Sequence, residues 1–119
     1  MAVKTIEEMY LLMQGFTQMT EELPFNEFAD YYQNVMDTLQ ADYQKLSQED
    51  LIRVKGICTI MDINAQSRAG YKDDKRKRFQ KMSEKSRFWG EAIKSRLLKE
   101  GMTSDQIMQA EAALWADQQ

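Results

Sequence analysis

Eight cations crowd into the sixteen residues from Lys72 to Arg87: Lys72, Lys75, Arg76, Lys77, Arg78, Lys81, Lys85 and Arg87, against three acids. Ammonium and guanidinium groups at this density are phosphate-tracking chemistry. Projected on a helix, Arg78, Lys81, Lys85, Arg96 and Lys99 share one flank, with Phe88 and Ala92 among them, and Phe88 is available there for stacking on a base. Arg76, Arg87 and Lys94 gather on the far side and would widen the footprint. Like charges three and four apart on a helix repel by roughly 0.2–0.5 kcal/mol per pair, so the run is easiest to understand with an anion against it. The candidate contact residues are therefore Lys75, Arg76, Lys77, Arg78, Lys81, Lys85, Arg87, Phe88, Arg96 and Lys99. The competing explanation is a solvated basic face, partly neutralised by acids elsewhere in the fold.

Those acids lie mostly in the first half. Residues 1–50 hold ten acids and two bases, residues 51–100 hold fourteen bases and six acids, and residues 101–119 hold three acids and no base. A net charge of −3 thus conceals a strongly dipolar chain. Such segregation fits an anionic partner, a protein partner, or a second copy joined head to tail. The alternative binding face is acidic, Glu27, Asp30, Asp37 and Asp42, which would occupy a basic site on a target protein. The overall acidity, pI about 5.0, weighs against a dedicated nucleic-acid-binding domain. A helix-turn-helix register with Gly56 at the turn would put Asp62 where an apolar residue is needed, and is rejected. Without a base-reading motif, contact to nucleic acid is expected at the backbone alone.

The chain has no histidine and one cysteine. Catalysis and metal binding through His are excluded, as are an intrachain disulfide and a multi-cysteine zinc site. Cys58, in the middle of an apolar stripe, reads as packing. Glu21-Glu22 and Asp73-Asp74 are adjacent pairs at expected helix ends, better suited to capping or solvation than to paired-carboxylate catalysis. The five glycines are isolated and make no phosphate-cradling loop. A non-enzymatic protein is expected, with no cofactor and no small-molecule substrate. No run of eighteen apolar residues exists to span a membrane. Residues 1–8 turn acidic where a secretory signal needs its apolar run, which makes the cytoplasm the expected compartment.

The elements that must position these groups are helical. One proline and five glycines are too few for the turns of an all-β fold. The spacing predicts five helices over about 5–20, 25–46, 48–67, 73–99 and 104–117, in a single all-α domain covering 1–119. Thr5-Ile6-Glu7-Glu8, Ser47-Gln48-Glu49-Asp50 and Thr103-Ser104-Asp105-Gln106 are N-terminal capping signatures. Gly101 is a stop signal, and Gly70 is expected to break or bend the chain, with Asp73-Asp74 as acids for the helix that follows.

The third helix is expected to be central, because it is apolar on two sides. Leu51, Val54, Cys58, Met61 and Ala65 form one stripe and Ile52, Gly56, Ile60 and Ile63 another, with Gly56 expected to admit a neighbouring backbone. Leu11, Tyr31 and Phe88 fall off their helices' apolar faces and form a candidate partner or self-association patch. Together these readings predict a helical accessory subunit whose fourth helix lies on nucleic-acid backbone in a nucleoprotein assembly. The alternatives are the acidic protein-binding regulator or inhibitor and a self-associating structural protein.

Overall fold

The computed structural model describes residues 5–70 and 75–115. Its helices are α1 (Ile6–Thr17), α2 (Phe25–Asp42), α3 (Gln48–Ala69), α4 (Arg76–Lys99) and α5 (Ser104–Trp115), with a 3-10 turn at Tyr43–Lys45. Among the described residues there is no strand. The expected acids Asp73 and Asp74 lie outside the described residues.

The chain writes most of its own boundaries. At α1 the Glu8 N–H donates to Thr5 Oγ1 at 3.1 Å while the Thr5 N–H donates back to Glu8 Oε1 at 3.4 Å. Thr103 and Gln106 make the same reciprocal pair at α5, at 2.9 and 3.1 Å. Ser47 Oγ accepts from the Asp50 N–H at 3.2 Å, opening α3. α4 closes with the Gly101 N–H on the Leu98 carbonyl and the Met102 N–H on the Leu97 carbonyl, both 3.1 Å. That closure needs the left-handed φ of +104° that Gly101 adopts.

Three boundaries differ from the sequence expectation. α1 stops at Thr17, short of 20, because beyond Phe16 the stripe offers only exposed Met19 flanked by the weak helix formers Thr17 and Thr20. α2 tightens into the 3-10 turn before residue 46, where Arg96 takes the Tyr43 and Leu46 carbonyls. α3 runs to Ala69, and Gly70 ends it in a right-handed conformation, with φ −74°.

α3 is the centre, packed most extensively on α4 and also on α1 and α5. The α3/α4 seam contains small side chains: Cys58, Ala65, Ser83 and Ser86 are buried there, and a Cβ placed on Gly90 would sit 4.0 Å from Cys58 Cβ. Such residues let two antiparallel helices run close together. α2 instead presents Phe28, Tyr31, Tyr32, Met36 and Leu39, and bulky rings hold its backbone farther off.

Phe25 and Phe28 meet Phe79 edge to face at 5.3 and 6.0 Å, and Tyr43 packs on Trp89 at 5.3 Å. Tyr31, expected off the apolar face, is buried, donates to the Met9 carbonyl at 2.6 Å and packs on Phe16. It joins α1 to α2 and is no part of a partner patch.

The second stripe of α3 is only half covered. Ile52 and Gly56 are buried, Ile60 is half-buried, and Ile63 is 61% exposed, the described residues of α5 lying alongside the N-terminal half of α3. Gly56 admits a side chain, not a backbone: an added Cβ would lie 2.6 Å from the Trp115 indole nitrogen. Trp115 also packs on Tyr10 at 5.1 Å, and the Gln14 amide reaches the Leu114 carbonyl at 3.4 Å. The Tyr10 hydroxyl donates to the same carbonyl, and Lys55 pairs with Glu111 at 2.8 Å.

Gly56→Ala is therefore expected to push α5 off the bundle, costing about 1–3 kcal/mol by overpacking. Urea unfolding with tryptophan emission checks this: the folded variant's emission should shift to the red. Ser86 has the opposite expectation. Its fully buried hydroxyl has no hydrogen-bond partner among the described residues, so Ser86→Ala should stabilise by about 1 kcal/mol, read as a higher urea midpoint.

Candidate anionic-partner surface

Because α4 commits Phe79, Met82, Ser83, Ser86, Ile93 and Leu97 to the interior, its remaining arc is the surface on offer. The ten sequence-derived candidates divide on it into distinct groups. Arg76, Lys77, Lys81, Lys85 and Lys99 are exposed and make no ion pair among the described residues. Lys77, Lys81 and Lys85 follow one another at about 6 Å of helical rise. Lys99 lies at the other end of the helix.

The N-terminus of α4 is electrostatically unusual. Its cap position and first turn hold Lys75, Arg76, Lys77 and Arg78, and no acid. Cations there oppose the helix dipole, by about 0.3–1 kcal/mol each when exposed. Two of the four have a compensating contact: Lys75 Nζ lies 5.0 Å and Arg78 Cζ 4.6 Å from the centre of the Phe25 ring. They stay at the edge of the surface, but their geometry is set by Phe25.

Arg87, still largely exposed, and Arg96 are engaged by neighbouring elements. Arg87 Nε lies 3.4 Å from Asp62 Oδ2, and Asp62 also accepts from Ser83 Oγ and, at 3.0 Å, from Gln66. This cluster fastens α4 to α3. Arg96 donates from Nη2 to the Leu46 carbonyl at 3.0 Å, from Nη1 to the Tyr43 carbonyl, and from Nε to Glu100 at 2.9 Å. It completes the C-terminal end of α2 in place of the missing helical partners. Hydrogen bonds from Arg96 and then Gln48 hold the Glu100 carboxyl below its ordinary pKa.

Phe88 is 64% exposed and points outward, consistent with a stacking platform, but Glu84 and Glu91 stand exposed one helical turn to either side. The usable cationic row therefore ends near Lys85. On the acidic helix Glu27, Asp30 and Asp37 are exposed, Asp37 accepts from Gln33 at 2.8 Å, and Asp42 is half-buried at the helix end.

Among the described residues no three His, Cys, Asp or Glu side chains converge to hold a metal ion, and no helix is long and apolar enough to cross a membrane. Cys58 is sealed into the seam, and burial raises its thiol pKa from 9.0 to about 12, with Lys55 opposing and Glu111 and Asp62 reinforcing the shift.

Sequence reasoning passed over Arg68, which is buried between α2 and α4. The signal was present: the stripe Leu51, Val54, Cys58, Met61, Ala65 steps next onto position 68. No protein-family model, curated protein or solved structure matches this chain.

The Cys58 environment gives a pH dependence of definite sign. A folded pKa of about 12 above an unfolded value of 9.0 means that folding holds the proton on. That contribution is complete below the unfolded pKa and disappears as pH rises towards the folded one. Urea midpoints should accordingly fall above pH 9. Burial raises the Tyr31 phenol in the same direction, so Cys58→Ala should flatten the fall without abolishing it, and a thiol reagent should label Cys58 only on unfolding.

Proposed function

We propose that this chain is a non-enzymatic helical binding subunit whose fourth helix lies on an anionic partner, nucleic-acid backbone in a nucleoprotein assembly. The observation that carries this reading is the row Lys77, Lys81 and Lys85, exposed and without ion pairs among the described residues. It is contiguous with Arg76 and with the acid-free first turn of α4. An anion along that row would relieve both the mutual repulsion of the cations and their conflict with the helix dipole. The side chains are long and exposed. Binding through phosphates is therefore expected to be indifferent to sequence. Arg87 and Arg96 act in this reading as positioning residues, holding α4 against α3 and α2 so that the row faces outward.

The second reading places the partner on the acidic face of α2, where Glu27, Asp30 and Asp37 are exposed. One experiment separates the two. Lys77→Glu, Lys81→Glu and Lys85→Glu together should weaken binding of a labelled oligonucleotide at low salt by at least about a hundredfold, with the thermal unfolding curve unchanged. Asp30→Lys with Asp37→Lys should leave that binding intact. Undiminished binding by the lysine triple variant, or absence of binding by the unaltered protein, would contradict the proposal.

A further inference from the structure

Arg68 is a guanidinium placed as though it were a core residue. It is 7% exposed, with Cζ 4.7 Å from the Phe79 ring centre and 5.1 Å from that of Phe28. Among the described residues its ion pair runs from Nε to Glu22 Oε2 at 3.7 Å, too long for a hydrogen bond, and its guanidinium makes no hydrogen bond. A guanidinium carries five N–H donors, and buried charged donors are strongly unfavourable without acceptors. The side chain keeps 9% of its surface open to solvent. Arg68 lines a groove of about 340 Å³ formed by α1, the connector to α2, α2 itself and the second half of α3.

The groove's composition restricts what would fill it. Met13, Phe16, Leu23, Phe28 and Ile60 give it apolar walls, and Arg68 is its one cation among the described residues. Tyr31 directs its hydroxyl away, onto the Met9 carbonyl, and the Asn64 amide donates to the Ile60 carbonyl at 3.0 Å. Glu21 and Glu22 line the same groove. Glu22 already faces Arg68 at 3.7 Å, so an incoming carboxylate takes the guanidinium in competition with Glu22, and the two acids oppose any anion of higher charge. The volume equals roughly eleven waters, at the lower end of the range for small-molecule sites.

We infer that this groove binds a small monocarboxylate with an apolar body, its carboxylate taken by the Arg68 guanidinium and its body lying along Met13, Phe16 and Ile60. A planar carboxylate matches the guanidinium fork with two parallel hydrogen bonds, which a neutral or singly accepting group does not. The occupant is independent of the partner on α4, because the groove opens beside α1 and the α1–α2 connector and shares no lining residue with the lysine row.

The test is calorimetric titration of the full chain with 4-phenylbutyrate, compared with 4-phenylbutanol and phenyl phosphate. Saturable one-to-one binding of the carboxylate is expected, with the alcohol weaker by about tenfold or more and no detectable binding of the phosphate. Arg68→Lys keeps the charge but loses the fork and should weaken phenylbutyrate by about tenfold.

Because changes at Arg68 also disturb packing, Ile60→Trp serves as the second variant. Ile60 is half-buried at the groove wall, so the indole should fill the groove and abolish binding while the unfolding midpoint is retained. Glu22→Gln removes the competing carboxylate and should tighten binding. Absence of saturable binding, equal binding of the alcohol, or binding that survives Ile60→Trp would overturn the inference.

Discussion

The close packing of α3 against α4 is the constraint from which the rest of the structure follows. Two long antiparallel helices approach closely along a seam containing Cys58, Ala65, Ser83, Ser86 and Gly90. Close packing makes dispersion and apolar burial large there, and it fixes the rotation of both helices about their axes. Once α4 is held at that rotation, Phe79, Met82, Ile93 and Leu97 are interior and Lys77, Lys81 and Lys85 are exterior. The seam tolerates one imperfection, the unpartnered Ser86 hydroxyl, in exchange for a side chain small enough to fit. The other helices dock around this pair: α1 and α5 on α3 through Tyr10, Trp115 and Gly56, and α2 onto α4 through aromatic rings.

Arginine performs two opposite tasks in this fold, and the difference lies in what stands opposite each side chain. Arg96 and Arg87 face backbone carbonyls and the Asp62 carboxylate of neighbouring elements, so their charge is spent on joining helices. Arg68 faces two phenyl rings and a carboxylate 3.7 Å away, so among the described residues its hydrogen-bonding capacity is unused. The lysines of α4 face none of these. A compact ammonium on a flexible stem remains hydrated where a guanidinium would find a planar partner. Division of the cations into structural and displayed sets thus follows what each one faces: Arg76 is displayed beside the lysines, and Lys55 is paired with Glu111.

Much of this architecture was legible in the sequence because its signals are local. The Thr5, Ser47 and Thr103 caps, the Gly101 stop and the apolar stripes place five helices with α3 central. What was not legible depends on the neighbouring element. A helical projection puts Arg96 on the same flank as Lys81, yet the carbonyls that claim Arg96 belong to residues fifty positions earlier in the chain. Tyr31 falls off the stripe of its own helix but lies where α1 covers it. Ile63 continues a stripe that the described residues of α5 leave uncovered. The Arg68 groove draws its walls from α1, the connector, α2 and α3, and no window along the chain displays them together.

The central claim is that α4 displays cations for an extended anion, and its salt response is the most direct measure. The affinity of the unaltered chain for a labelled oligonucleotide, followed by fluorescence anisotropy at several salt concentrations, gives the number of phosphates neutralised. Three to five contacts along Arg76, Lys77, Lys81 and Lys85 with one flanking cation correspond to a slope of log affinity on log salt of about −2 to −4.5. A slope in that range supports the account. A flat response, or no binding at low salt, would contradict it.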